Sequence, residues 1–380
     1  MIEIIEVKTK KQLKKFVEFP NKLYKGNKYY CPPLAFDEMG TFIPKKNPAF
    51  EFCESRQYLA YKDKKLVGRI AGIISYPHCA KQKRNQIRFA RFDAIDDIEV
   101  TKALFKAVRD YGKEKGMDEM IGPLGFVDID REGMLIDGFD EYNLSITIYN
   151  YPYYMKHLEA MGFVKDVDWV EYQLKMPKEI DERLIRISDR VQQRYGYQVK
   201  KFKNNKEIIP YAKKAFEVVN EAFDNLYAYV PLSDKLIEKC LKDYIPIVNK
   251  DYVIVVVDKN DQVIGFGLMV PSLASACHKH NGHLFPFGWI SFLKALKSKK
   301  NKILEMYFVA VKPEYQSTGV NAIIIVESLK ACFKNGAELA ETGPELELNE
   351  KVQDQWKGFD ARQHRRRRSW IVKLDEMKLK

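Results

Sequence analysis

"VAVKPEYQSTGVNA", residues 309–322, carries a nearly unbroken apolar run into a polar turn with one glycine, and then onward. Upstream, "ILEMYFVAV" (303–311) is apolar enough for a strand buried on both faces. Downstream, "VNAIIIVESLKACFKNG" (320–336) places Ile323, Val326, Leu329, Ala331 and Phe333 on the apolar side of a helix that Gly336 ends. Pro313 precedes that helix, and Gly319 permits positive φ or close approach of another group. Free N–H groups in such a turn form a nest, and the helix N-terminus adds roughly half a positive charge. A diphosphate fits there, held by backbone donors. A plain strand–helix turn has the same outline.

The chain repeats itself around this stretch. "AYKDKKLVGRIA" (60–71) aligns without a gap to "VDKNDQVIGFGL" (257–268), with Gly68 opposite Gly265. Each has a polar turn between β-branched runs, as hairpins do. "KEKGMDEMIGP" (113–123) matches "FKNGAELAETGP" (333–344), and "LEAMGF" (158–163) matches "QWKGF" (355–359). Three correspondences in one order indicate duplication. Between the halves, Ile180, Leu184, Ile187 and Val191 fall on one face of a helix that Gly196 stops. The expected class is mixed α/β: a first half over 1–177, a connecting helix over 178–196 packed on one domain, and a second half over 197–380.

Bulk properties narrow the partners. The 380 residues suit two domains. The N-terminal "MIEIIEVKTK" mixes acids among its apolar residues, unlike a signal peptide, and no apolar run is long enough to span a membrane, so cytoplasmic residence is expected. Six scattered cysteines without a CxxC pair read as reduced thiols. The net charge of +12 favours anionic partners without choosing among nucleic acid, phosphorylated cofactors and acidic membrane.

The quoted stretch resembles the cofactor motif of the GNAT acyltransferase superfamily, V-x-P-x-(Y/F)-(Q/R)-x-x-G-x-(G/A). Val311, Pro313, Tyr315, Gln316 and Gly319 match it, and Asn321 stands where Gly or Ala is usual. The order of elements over 197–374 resembles the same fold, and the internal repeat extends the likeness to a tandem GNAT protein with a mostly antiparallel central sheet. The resemblance implies acetyl- or acyl-coenzyme A as co-substrate. Backbone N–H groups from Gln316 through Ser317, Thr318, Gly319 and Val320 to Asn321 would take the pyrophosphate, and the strand edge at Val309 and Val311 would pair with the pantetheine amides. A bulky β-branched residue at Gly319 is then expected to abolish binding while leaving the fold intact.

The first half departs from this pattern. Its matching stretch, "FDAIDDIEVTKALFKAV" (92–108), has no glycine, and Asp93, Asp96 and Asp97 crowd the place of the pyrophosphate. One coenzyme A site per chain is expected, with the first half degenerate. Its loop "GPLGFVDIDREGMLIDGFDE" (122–141) carries Asp128, Asp130, Glu132, Asp137, Asp140 and Glu141, which could receive an amine or simply be solvated.

Acyl transfer to an amine needs a base for the ammonium proton and a donor for the developing oxyanion. Glu305 is the one carboxylate in the apolar strand, and the resemblance implies a glutamate base there, with Glu341 as a rival. The family tyrosine that protonates the leaving thiolate would fall at Trp356, which cannot serve as an acid. The role then passes to Tyr307 or a water. A non-catalytic acyl-coenzyme A sensor is therefore a second reading. A transferase of similar shape fed by aminoacyl-tRNA is a third, which the charge suits and the pyrophosphate-type turn opposes. The acceptor would be a small-molecule or peptide amine.

Three other features stand out. Residues 271–302 exceed their first-half counterpart (76–86) and hold "FPFGWISFLKALKSKKNK". There Trp289, Phe292, Leu293 and Leu296 share a helical face, with Lys294, Lys297, Lys299 and Lys300 around the others. Such a helix packs on its own domain, walls a pocket or docks on a membrane. "CHKHNGH" gathers Cys277, His278, His280 and His283, but no second ligand cluster exists, so no metal is expected. "RQHRRRRSW" (362–370) reads as a solvated basic run, with cofactor phosphates or tRNA as alternatives.

Overall fold

Each half builds seven strands in the same order, in a computed structural model that describes residues 1–245, 248–298 and 302–379. In the first half these are β1 (Ile2–Glu6), β2 (Cys53–Lys62), β3 (Lys65–Ser75), β4 (Gln86–Ala94), β5 (Glu119–Gly122), β6 (Met134–Asp137) and β7 (Val164–Lys175). In the second they are β8 (Gln198–Val199), β9 (Val253–Val257), β10 (Val263–Pro271), β11 (Ile303–Val311), β12 (Leu339–Thr342), β13 (Glu345–Leu346) and β14 (Asp360–Lys373). A helix follows each fourth strand, Ile98–Glu114 after β4 and Val320–Asn335 after β11. The duplication read from the sequence is thus present element by element.

The repeat glycines have the same task in both halves. A Cβ on Gly68 would lie 2.8 Å from Leu104 of the first-half helix, and one on Gly265 would lie 2.5 Å from Val320 of the second. Each glycine lets the helix rest directly on the third strand. Lys299 and Lys300 of the basic insertion lie outside the described residues.

All fourteen described strands join one sheet: twelve follow the order β1-β2-β3-β4-β5-β14-β7-β12-β11-β10-β9-β8, while β6 pairs with β14 and β13 with β7. This order reads the same from either end once the repeat is applied. The halves have exchanged their last strands: β14 lies beside β5, and β7 beside β12. Among the described residues, only β4–β5 and β11–β12 pair in parallel. The two exchanged strands pair with each other along their length, from Asp360 opposite Lys175 to Ile371 opposite Val164.

That central pair corrects the reading of 362–370 as solvated surface. Arg365, Arg367 and Glu171 are 0% exposed, so the basic run is the middle of the sheet. Arg365 Nε donates to Glu171 Oε2 at 2.5 Å, and Arg367 Nε pairs with Glu171 Oε1. On the other side, Arg366 and Arg368 meet the buried Asp168 at 3.0 and 2.7 Å. Burial works to raise the Glu171 carboxyl, but Arg367 and Arg365 outweigh it and hold it down at about 2. Removing one partner from such a buried set costs ~3–5 kcal/mol because it strands the others. A local sequence window hides this, since the carboxylates come from β7, almost two hundred residues away.

The connecting helix spans Glu182–Tyr195, capped by Asp181 at one end and by Gly196 (φ +71°) at the other. It packs on the helix Val320–Asn335. Its face is rotated from the expected one: Ser188 is buried at the contact while Ile187 is 50% exposed.

Candidate active site

The fourth and fifth strands of the second half separate partway along. The β11–β12 pairing stops at Met306 opposite Thr342, where Gly343 N–H closes onto Met306 C=O at 3.2 Å. Beyond it, β11 keeps β10 on one side only. Lys312 N–H donates to Ile264 of β10 at 3.0 Å. Backbone groups alternate between strand edges, so those of Val311 and Val309 face the open side. The Val311 carbonyl accepts the Gln316 side-chain amide at 3.3 Å, a contact that another donor can replace.

Past this edge the chain enters the helix through Gly319, whose φ of +90° makes it the N-cap. Two of the expected pyrophosphate donors are already used: Gln316 N–H donates to Pro313 C=O at 3.3 Å and Thr318 N–H to Tyr315 C=O at 3.1 Å. Among the described residues, the N–H groups of Ser317, Gly319, Val320 and Asn321 have no such backbone acceptor, which leaves four donors at a helix N-terminus. The expectation that a bulky residue at Gly319 spares the fold needs correction. A Cβ there would sit 2.6 Å from Val191 Cγ2, so substitution also disturbs the docking of the connecting helix.

Further back on β11, Glu305 is 0% exposed. Ser145 Oγ and Tyr307 OH donate to its Oε2 at 3.3 and 3.5 Å, and those two hydroxyls are 3.5 Å apart. Burial pushes the Glu305 carboxyl up to about 7; Ser272, Arg365 and Ser145 pull it down and the neighbouring Glu341 adds to the rise. Burial also raises the Tyr307 hydroxyl well above its ordinary value, so it stays neutral. Glu341 faces Glu305 across the parallel pair, with both of its oxygens occupied: Arg365 Nη2 at 2.8 Å and Gln173 Nε2 at 3.0 Å. Ser145 belongs to the first half and lies in a loop without any motif, so no sequence signal pointed to it. Arg131 Nη2 fixes that loop by donating to the Ser145 carbonyl at 3.0 Å.

The equivalent edge in the first half is filled by the chain itself. Ala94, which pairs with Gly68 as Val311 pairs with Gly265, donates its N–H to Tyr154 OH at 2.9 Å and accepts from Tyr153 OH at 2.7 Å. The helix N-terminus beside it is capped by Asp97, which accepts from Glu99 N–H at 3.0 Å and pairs with Lys62 at 2.6 Å. Asp93 is buried against Arg69 at 2.8 Å. In place of Glu305 stands Arg88, buried and bonded to the Gly125 and Ala228 carbonyls at 2.9 and 3.0 Å.

The remaining sequence candidates separate. Trp356 is buried with its indole N–H on Glu345, 2.9 and 3.1 Å from the two oxygens. In the acidic loop, Asp130 pairs with Arg91 and Glu141 with Arg362, while Asp137 and Asp140 lie outside both pairs. Asp128 and Glu132 are half-buried neighbours whose carboxyls burial pushes up, Asp128 to about 6. The cysteine–histidine cluster disperses: Cys277 is buried, His280 bonds Ser291 at 2.8 Å and His283 meets Glu18 at 3.1 Å. No group of three potential metal ligands occurs among the described residues.

Comparison with known proteins bears on the fold. No family model matches the chain. It is 25% identical over 367 residues to Protein YghO of Escherichia coli (strain K12), covering 94% of this chain and 92% of that one. It is also 25% identical over 321 residues to the bacterial ceramide synthase of Caulobacter vibrioides, covering 83% and 82%. Among solved structures, a tandem GNAT protein from the clavulanic acid biosynthesis pathway superposes with a TM-score of 0.57 over 98% of this chain and 99% of that one, at 10% identity. With its duplicated halves, parted fourth and fifth strands and glycine-capped helix, the chain has the fold of a tandem GNAT protein.

Proposed function

We propose that the chain is an N-acyltransferase that takes an acyl group from acyl-coenzyme A and delivers it to an amine at a single site in the second half. The division at 178–196 then separates a first half that supports the site from the half that carries it. The observation that carries the reading is the contrast between the two edges. Among the described residues, the β11 edge at Val309 and Val311 meets no further strand, only the Gln316 side chain, and leads to four amides without a backbone acceptor, whereas Ala94 is closed by Tyr153 and Tyr154 and its helix by Asp97. The amides of Ser317, Gly319, Val320 and Asn321 would hold the pyrophosphate, and the β11 edge would lay the pantetheine arm toward Tyr307, about 13 Å further on at ~3.3 Å per residue.

Bound acyl-coenzyme A supplies an activated thioester. The chain's own groups manage the proton. Glu305, with a carboxyl near 7, accepts the proton that the ammonium must lose, relayed through the hydroxyls of Tyr307 and Ser145. The same path returns it to the departing sulfur, so no separate acid at Trp356 is required. Glu341 instead balances Arg365.

The relative named for ceramide synthesis directs the first assays to long-chain amino alcohols with long-chain acyl-coenzyme A. Release of free thiol from acyl-coenzyme A across an amine panel tests the reading. Binding without thiol release for any acceptor would favour the sensor reading, to which the Trp356–Glu345 contact at the family's tyrosine position lends support. Binding of charged tRNA but not coenzyme A would favour the aminoacyl-tRNA reading.

A further inference from the structure

The second-half insertion leaves an apolar surface uncovered. Its two helices, Ala274–His280 and Gly288–Lys297, are fastened from inside by Phe292 and Leu296, which pack with Cys31, Leu273, Ala276 and Cys277. The flank of the second helix beside this buried stripe, and the loop before it, stay uncovered among the described residues. Phe285 is 81% exposed, Phe287 70%, Ile290 50%, Trp289 45% and Leu293 37%. Five large apolar side chains exposed within nine residues is a patch that soluble surfaces avoid. Its charge is equally one-sided. No aspartate or glutamate occurs between Pro271 and Glu305 in a chain with 52 acids, while Lys279, Lys294 and Lys297 are exposed around the patch. Glu18 reaches this region from elsewhere and meets His283.

We infer that residues 285–297 dock the protein on the surface of an anionic membrane, with the aromatic and aliphatic side chains entering the interface and the lysines meeting lipid headgroups. An apolar tip flanked by Lys294 and Lys297, with no acid in its own segment, suits such a surface. The patch belongs to the same 271–302 segment as Ser272, which neighbours Glu305. The inference stands independently of the acyltransferase reading, because its test measures lipid binding alone.

Trp289 provides the probe. The other three tryptophans are buried, at 3% (Trp169), 7% (Trp356) and 2% (Trp370), so a change in emission reports this surface. The full chain is titrated with phosphatidylcholine vesicles, with and without phosphatidylglycerol, at low and high salt. The expected result is a blue shift and co-sedimentation with the anionic vesicles that weakens as salt rises. Phe285→Ser with Phe287→Ser, and separately Ile290→Ser with Leu293→Ser, should each weaken vesicle affinity by ~10-fold or more while leaving the melting temperature unchanged. Lys294→Glu with Lys297→Glu should erase the preference for phosphatidylglycerol. Absence of binding to either vesicle overturns the inference. So does a blue shift that follows protein concentration without lipid, with a dimer in sedimentation that the same serine variants dissolve, since the patch is then an interface between copies.

Discussion

Replacing Glu305 with glutamine separates what its burial costs the fold from what its carboxyl does for the chemistry. The carboxyl rises from 4.5 to about 7, chiefly through burial. The native state therefore holds a proton between those values that the unfolded chain has released. Stability from this group falls as pH rises through that window, and the cost is complete above about 7. At ~1.36 kcal/mol per pH unit the ionised carboxyl costs the native state ~3 kcal/mol at about pH 8. Glutamine keeps the shape and an acceptor for Ser145 and Tyr307 but carries no charge. With ~2.1 cal/mol/K of unfolding entropy per residue, 380 residues that melt as one unit through the shared sheet give a rise of ~4 °C at about pH 8. The gain should vanish near pH 4.5. Calorimetric scans of both proteins from pH 4.5 to 8 measure it. A variant that melts at or below the parent at pH 8, or a difference that does not change with pH, refutes the burial argument. In turnover assays the same variant should lose ~10²-fold or more, together with the limb of the pH–rate profile near 7.

Further outcomes follow from other contacts. Gly319→Ala should both weaken coenzyme A binding and lower the melting temperature; adding Val191→Ala should restore part of the stability but not the binding, because φ of +90° still disfavours the side chain. Glu171→Ala should cost ~3–5 kcal/mol in denaturant unfolding, since Arg365 and Arg367 lose their shared partner. Glu171 is held at about 2 in the native state, so its contribution is full above its ordinary value near 4.5 and is lost as pH falls toward 2. The Glu171→Gln variant should accordingly show a flatter acid limb. Tyr154→Phe should cost ~1–3 kcal/mol by leaving the buried Ala94 amide without its acceptor, and calorimetry should still give one coenzyme A site because Asp97 continues to cap the helix.

What could be read from the sequence was local. Gly319, the apolar run of β11 and the paired glycines at 68 and 265 each announce a backbone requirement within a few residues. The aspartates at 93, 96 and 97 likewise marked the first half as different. What could not be read depends on partners far along the chain. The exchange of β7 and β14 puts Glu171 opposite Arg365, and only that pairing turns a basic run into a buried ladder. Ser145 reaches Glu305 from the other half, and Tyr153 and Tyr154 close an edge that lies some sixty residues before them. Ile187 fits the helical period as well as Ser188 does, and the close approach to Gly319 decides which turns inward.

Amide hydrogen exchange of the full chain, with and without coenzyme A, tests the central claim most directly, because it reads both edges in one protein. The account predicts slowed exchange in peptides covering residues 307–322 and no change in those covering 91–98. Protection at 91–98, or none at 307–322 under saturating coenzyme A, would contradict it.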